Sequence, residues 1–345
     1  MCAVIAVHNF ADFASRWCEY GVACGHEVRK VNGYDSGIQA RLRGCQAFLW
    51  QLNHEQNADL QFARSVLMAA ASQGIHVYPD HTTNWHFDDK VAQKYLLEAV
   101  NAPLAATWVF YCKMEALEFL ETATYPLVFK LRRGAGSMNV RLVRDPYEGK
   151  ALARRMFGRG INPFPALGLL QQAAGRARRV EAHRDPFRMR LGRVMHRIVK
   201  RARQATRERG YVLFQRFVPD TDHDLRVTII GDRAFAFKRG VRPKDFRASG
   251  SGRITYPSQS ELPKDAIEVA FDISRRLGFQ SMAFDFAREG GRGAPTLLEM
   301  SFSFQAKAVF DCPGFLDGAG VWHPGHCRPE DLILDDLLAD RDGRS

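Results

Sequence analysis

The sequence predicts a mixed architecture, a parallel α/β domain at the N-terminus followed by an α+β region of antiparallel sheets. Three observations carry this. Short apolar runs at 3–7, 46–50 and 75–78 alternate with helically spaced residues such as Phe62, Val66, Leu67 and Ala70, the pattern of a parallel sheet covered by helices. From residue 104 onward, alternating strands instead flank short turns, the pattern of hairpins. A chain of 345 residues, 46% of them apolar, suffices for two domains with sizeable cores.

The first domain spans residues 1–87. Its opening "MCAVIAVHNFADF" has no basic leader and reads as a first strand, not an export signal, and the longest apolar runs, "AVIAV" and "VLMAAA", fall far short of the roughly 20 residues of a membrane span. A cytoplasmic protein without a transmembrane segment is expected. Seven scattered cysteines with no C-x-x-C pair read as reduced structural thiols. His8, after the first strand, suits a capping or loop role or the lining of a cleft. Beyond "YPDHTTNWHFDDK", the spacing of Val91, Tyr95, Leu96 and Ala99 predicts a helix ending near Pro103, with Asp88 as its N-cap.

The remaining strands fall into a group before the basic residues that begin at 150 and a C-terminal group, or lobe, from 211 onward. In the first, "YPLVFK" and "NVRLV" flank a loop containing Gly134, Gly136 and Ser137, and Lys130 ends the leading strand. Small residues let backbone N–H groups approach an anion while lysine supplies a point charge, so the pattern suits a phosphate; the same glycines also suit a plain hairpin turn. In the lobe, "YVLFQRFV" (211–218) precedes "DLRVTII", a Gly231-Asp232 turn and "RAFAFKR", and "SMAFDFA" and "TLLEMS" flank "REGGRGAP".

In that last hairpin Asp285 and Glu299 lie equally far from Arg292, so a symmetric register sets the two carboxylates opposite each other, with Phe284 and Phe286 on the other face. Facing like charges need a counter-charge. A shared divalent cation supplies it, magnesium for oxygen ligands; an arginine at each acid is the alternative.

Charge is unevenly placed. Between Lys150 and Arg209 stand 17 Lys/Arg against Glu181, Asp185 and Glu208, a local charge of +14 in a chain of net +11. Helical patches are expected at 149–157 and 188–208, in a basic segment (150–209) attached to the fold and separate from the phosphate site. Such density suits an anionic partner such as nucleic acid, an anionic surface or an acidic polymer, or a neighbouring subunit in an oligomer.

A lysine ending a strand before a glycine loop, then "QRFV", "DHDLRV", "AFKR" and paired acids on adjacent strands together resemble the ATP-grasp superfamily, nearest to the RimK-type carboxylate-amine ligases. The resemblance implies a pre-ATP-grasp domain at 1–87 and a two-lobed ATP-grasp domain at 88–345, with a lid subdomain at about 104–210 and a C-terminal catalytic lobe at 211–345, and with ATP and Mg2+ as cofactors. By position, Lys130 and Lys90 resemble the family lysines on phosphate, and 132–138 the flexible lid. "QRFV" resembles the adenine site, with the backbones of Arg216 and Val218 pairing with the base and Gln215 where glutamate is common; Phe217 lies between them. Asp222 stands where an acid binds ribose, with Asp220 an equal competitor, and Lys238 falls in the "AFKR" motif. Arg226 and Arg239 resemble the arginines facing the triphosphate and acyl group, and in "DFRASGSG" Arg247 stands beside small residues that permit the close approach of a phosphate or carboxylate. Asp285, Glu299 and Ser301 fall on the metal positions, with serine where the family has asparagine.

The resemblance implies an ADP-forming ligase that joins a small-molecule, peptide or saccharide carboxylate to an amine through an acyl phosphate. The alternatives are a kinase-like member that stops at phosphoryl transfer, and a weakly active ATP-binding module that binds an anionic polymer through the basic segment. Cys312, His323, His326 and Cys327 near the C-terminus invite a zinc reading, but their spacing fits no usual zinc pattern.

Overall fold

A computed structural model describes residues 2–8, 12–54, 56–134, 139–163, 206–219, 221–241, 246 and 252–339. The chain divides into two compact units, residues 1–104 with 218–345 and residues 105–217.

The first unit opens with a four-stranded parallel sheet, order β2-β1-β3-β4, of β1 (Val4–His8), β2 (Glu27–Val31), β3 (Ala47–Leu49) and β4 (His76–Tyr78). The three apolar runs are β1, β3 and β4. β2 escapes the pattern because it is an edge strand, "EVRKV", that buries only Val31. Helices α1 (Asp12–Ala23), α2 (Ile38–Arg41) and α3 (Arg64–Ala71) connect the strands. α3 buries Leu67 and Ala70 as expected, whereas Phe62 is 58% exposed. Residues 59–63 form a π-helical turn, whose wider spacing moves Phe62 off the apolar stripe. After α4 (His81–Asn84) comes α5 (Lys90–Ala99), capped by Asp89 and not by Asp88: the Asp89 carboxylate accepts from the N–H groups of Val91 and Ala92, while Asp88 has φ +52°.

The second unit is an antiparallel sheet of order β5-β8-β6-β7, formed by β5 (Thr107–Phe110), β6 (Leu127–Lys130), β7 (Arg141–Val143) and β8 (Val212–Arg216). Alongside it run α6 (Lys113–Thr122) and α7 (Pro146–Met156). The β6–β7 pair is the hairpin predicted around the glycine loop. α7 starts where the sequence allows, with Asp145 accepting from the Glu148 N–H and Pro146 in the first turn, and it buries Leu152, Ala153 and Met156. It fills the helical patch expected at 149–157. Most of the patch expected at 188–208 lies outside the described residues, and its end is not helical: Glu208 is extended and exchanges two backbone hydrogen bonds of 2.9 Å with Ile161.

Returning to the first unit, the chain builds a seven-stranded antiparallel sheet. Its strands are β9 (His223–Ile230), β10 (Arg233–Gly240), β11 (Ile254–Thr255), β12 (Ser281–Ala287), β13 (Thr296–Ser301), β14 (Gly314–Asp317) and β15 (Trp322–Pro324), in the order β13-β12-β9-β10-β14-β15 with β11 beside β10. Both predicted hairpins are present, β9–β10 turning at Gly231 (φ +54°) and β12–β13 across 288–295. Leu225, Val227, Ile229, Phe284 and Phe286 are buried, and α8 (Lys264–Leu277) packs on β9, β10 and β12 with Ile267, Ala270, Phe271 and Ile273 buried. α9 (Ala306–Phe310) leads to α10 (Pro329–Ala339), which packs on α1. There Arg16 grips Asp331 bidentately (2.7 and 2.5 Å) and Trp17 Nε1 donates to the Glu330 carbonyl (2.9 Å), so the parallel domain and the lobe share one apolar core. All seven cysteines are free thiols. Among the described residues no helix is long and apolar enough to cross a membrane.

Candidate active site

Strand alternation gathers one polar face on the seven-stranded sheet. Asp224 pairs with Arg239 across β9–β10, Arg226 with Asp285 across β9–β12, Asp285 with Glu299 across β12–β13, and Ala283 with Ser301. Residues directly opposite in an antiparallel ladder share a face, so Asp224, Arg226, Arg239, Asp285, Glu299 and Ser301 all lie on one side. The symmetric register of Asp285 and Glu299 is as the sequence predicts. A bulge follows at once, with Phe286 opposite Leu297.

The counter-charge differs from the shared cation expected. Arg226 donates to Asp285 through Nε and Nη2, both at 2.7 Å. Arg239 donates from Nε and Nη2 to Asp224 at 2.7 and 2.6 Å, and its Nη2 also lies 2.7 Å from Asp285 Oδ2. Two guanidiniums thus balance two carboxylates, and both Asp285 oxygens are engaged; the arginine alternative holds for Asp285. Burial pushes the Asp285 carboxyl up, but the two arginines outweigh it and hold it far below the usual carboxylate range. For Asp224 burial prevails over Arg239 and the pKa is raised. Arg239 is raised despite burial by Asp285 and Asp224. Glu299 is half-buried, and its carboxylate makes no hydrogen bond or ion pair with any described residue. Ser301 Oγ accepts from the Ser303 N–H at 3.2 Å, a local turn that occupies the hydroxyl.

Lys238 neighbours Arg239 on β10 and therefore points to the opposite face, opposite Leu225 and Thr255. Asp222 is exposed and bonded to its neighbour His223. Lys90 is the first residue of α5, and α5 is tied to β13 by Gln93, whose Oε1 accepts from the Met300 N–H at 3.5 Å. Arg247 and Asp220 lie outside the described residues.

In the second unit Lys130 closes β6 and is buried. Gly134 follows with φ +118°, a backbone conformation that favours glycine; Gly136 and Ser137 lie outside the described residues. Just before Gly134 stands an arrangement that the sequence reading missed. The Arg132 N–H donates to Glu208 Oε2 (3.0 Å) and to the Tyr211 hydroxyl (2.6 Å), the Arg133 N–H donates to Glu208 Oε1 (3.1 Å), and the Tyr211 hydroxyl donates to Glu208. The basic segment is therefore not wholly separate from the loop, since its last acid anchors it. Gln215, on β8, is buried and donates to Thr107 Oγ1 (3.0 Å), while Arg216 is exposed. Phe217 ends the second unit and Val218, buried, begins the return to the first.

Counting outward from the Gly231-Asp232 turn would have paired Asp224 with Arg239. Nothing local marks Glu208 as an anchor of the loop, since the N–H groups it receives, those of Arg132 and Arg133, lie 76 and 75 residues away in sequence. At the C-terminus His323 bonds to Asp317 and His326 to the Phe310 carbonyl, and no group of three or more metal-binding side chains occurs among the described residues.

The parallel domain, the glycine-loop hairpin and the polar face of the antiparallel sheet together define an ATP-grasp fold. Solved structures similar to the chain share it. The RimK-domain ATP-grasp protein of Sphaerobacter thermophilus aligns over 97% of this chain and all of that chain, with TM-score 0.54 and 19% identity. The ATP-grasp ligase PsnB bound to a minimal precursor aligns over 99% of both chains, with TM-score 0.58 and 13% identity. The biotin carboxylase domain of Hydrogenobacter thermophilus 2-oxoglutarate carboxylase, a complex with MgADP, ADP and bicarbonate, covers 96% of this chain and 69% of that one, with TM-score 0.58 and 13% identity. No family model and no curated protein matches the chain in sequence.

Proposed function

We propose that the protein is an ATP-dependent, ADP-forming ligase that joins a carboxylate to an amine. In the reaction, a substrate carboxylate oxygen takes the γ-phosphoryl group and ADP leaves. The amine nitrogen then attacks the acyl carbon of the acyl phosphate, phosphate departs with the C–O electron pair, and the nitrogen loses a proton. Such chemistry needs placed charge more than a protein nucleophile.

The observation that carries this reading is the single polar face on β9, β10, β12 and β13 within an ATP-grasp fold. Arg226 spends Nε and Nη2 on Asp285 and keeps Nη1 for an anion. Lys130, beside the glycine loop, and Lys90, at the start of α5, are the further cations assigned to phosphate. The donor set suits magnesium in kind, being oxygen only. Glu299 is its ready ligand, Asp285 shares remaining lone pairs, and Ser301 contributes only by giving up Ser303. Magnesium supplies neutralisation of the phosphate charge. Gln215 to Val218 are assigned to the adenine and Asp222 to the ribose.

Thermal denaturation with and without Mg-ATP tests binding. Millimolar Mg-ATP should raise Tm, by an amount equivalent to about 2.7 kcal/mol at a hundred times Kd, and Lys130→Ala should lose most of the shift. No shift in the wild type would overturn the proposal. The engagement of Asp285 by two arginines and of Ser301 by Ser303 favours a second reading, an ATP-binding module with little turnover. Ser301→Asn separates the two: in a ligase it should tighten magnesium and keep or raise ADP release with acid and amine present, whereas in a binding module it should yield no ADP.

A further inference from the structure

A separate cleft lies wholly within the parallel domain. β1 leads to β2 on one side and β3 to β4 on the other, so the strand order reverses between β1 and β3. Ligands of open parallel sheets settle outside the carboxyl ends of the strands at such a reversal. His8 ends β1 and Trp50 follows β3, and between them opens a cleft of about 250 Å3 lined by His8, Asn32, Tyr34, Gln51, Asn53 and Gln56.

Its wall is built from committed groups. The buried Asp59 accepts from the Tyr34 hydroxyl, from Trp50 Nε1 (3.1 Å) and from the Asn53 N–H (2.7 Å). His8 Nδ1 accepts from the Gly33 N–H (2.8 Å), and the ring stacks on Trp50 with centroids 4.1 Å apart. Burial lowers the His8 pKa to about 4, so the ring is neutral near pH 7. One buried acceptor is left over: Gln51 Oε1 has no hydrogen-bond partner among the described residues. A buried polar atom without a partner is costly, which makes it a place for a ligand donor.

The charge pattern selects the ligand class. Among the described residues the lining holds no lysine or arginine, so a carboxylate or phosphate would be desolvated without a counter-charge. Among the described residues an ammonium would meet one carboxylate, Asp59, whose oxygens already accept from three donors. Hydroxyls and carboxamides meet the amide groups of Asn32, Gln51, Asn53 and Gln56 without that cost, and the exposed ring of Tyr34 offers a stacking surface. A hydrogen bond ties the chain beside the cleft to the segment just beyond β13. Leu52, between two lining residues, accepts at its carbonyl from Ser303 Oγ (3.2 Å), and Ser303 stands two residues beyond Ser301 on the strand that carries Glu299.

We propose that this cleft binds an uncharged, hydroxyl- or carboxamide-bearing group, the distal end of one of the two co-substrates; the assignment to a co-substrate rests on the ligase reading, whereas the binding does not. Saturation-transfer NMR on the full chain without nucleotide tests it, using millimolar glucose, glutamine, glucose 6-phosphate and glutamate as probes. Transfer to glucose or glutamine, at least fivefold weaker to the charged counterpart, is expected, and the stronger of the two names the source as saccharide or amide. Gln51→Leu and the exposed Gln56→Ala should each weaken it about fivefold, while Lys130→Ala should not. No transfer to either neutral probe, equal transfer to the charged ones, or indifference to both cleft variants would overturn the proposal. Neutral-probe binding that persists in a protein giving no Mg-ATP shift would overturn the ligase reading alone.

Discussion

At the scale of single residues, the buried charges on the sheet matter most. Arg239 is 8% exposed and Asp285 2%, so removing either leaves an uncompensated charge in a dry setting. Breaking a buried pair on one side costs about 3–5 kcal/mol. Arg239→Met should therefore lower urea-unfolding stability by roughly that amount, and Asp285→Asn should be strongly destabilising as well. A shared cation as the counter-charge implies the contrary for Asp285→Asn in the metal-free protein, where the repulsion with Glu299 would stand uncompensated. Glu299→Gln, at a site without a charged partner, should change stability by no more than about 0.5 kcal/mol while lowering the magnesium dependence of ATP binding. Calorimetry with and without magnesium would show it, and an unchanged dependence would remove Glu299 from the metal site. The sequence made the carboxylate pair legible because strand alternation and a symmetric loop fix register. It left the arginine grip uncertain, because which cation reaches a carboxylate depends on side-chain conformations in neighbouring strands.

At the scale of elements, Glu208 and Tyr211 fix the chain before Gly134. Three hydrogen bonds from the N–H groups of Arg132 and Arg133 converge on this pair. Burial raises the Glu208 pKa against the pull of Tyr211 and the two N–H groups. Glu208→Ala strands partly buried donors at a cost of up to about 1–3 kcal/mol, and hydrogen exchange at Arg132 and Arg133 should accelerate more than within β6. Uniform protection would show that the loop is held elsewhere. Gly160 makes the close approach feasible: it has φ +71°, and a Cβ there would lie 2.6 Å from the Glu208 carbonyl oxygen. Elements with local signals were legible, including the helical patch that α7 fills and the hairpin at Gly231-Asp232. Those specified by distant partners, the β2 edge and the Ile161–Glu208 pairing, were not, because their residues are polar and their pairing is decided by tertiary contacts.

At the scale of the whole molecule, the first unit draws on both ends of the chain. α10 buries Ile333, Leu334 and Leu337, and α1 buries Trp17 in the same core. Fully burying such side chains contributes about 1.5–3 kcal/mol each, so deleting residues 329–345 removes an amount comparable to the total stability of a domain, about 5–15 kcal/mol. The truncated chain should fail to show a cooperative unfolding transition by circular dichroism. That closure was not legible from periodicity, which reveals an apolar face but not its partner. The same unit sets an acid limit on stability. Burial lowers His8 and His86 from the usual 6.5 to about 4, with Arg64 adding to the effect at His86. Between pH 6.5 and 4 the unfolded chain therefore binds more protons at these sites than the folded one. Stability is full above 6.5 and falls as the pH drops toward 4, by up to about 1.4 kcal/mol per pH unit for each histidine. Asp59 and Asp224, raised by burial, act in the opposite sense and soften the fall. Urea midpoints measured from pH 7.5 to 4 should decline through this window, and His86→Leu should flatten the decline. An unchanged slope in that variant would mean that His86 already carries its proton in the folded protein, and that the acid limb belongs to other groups.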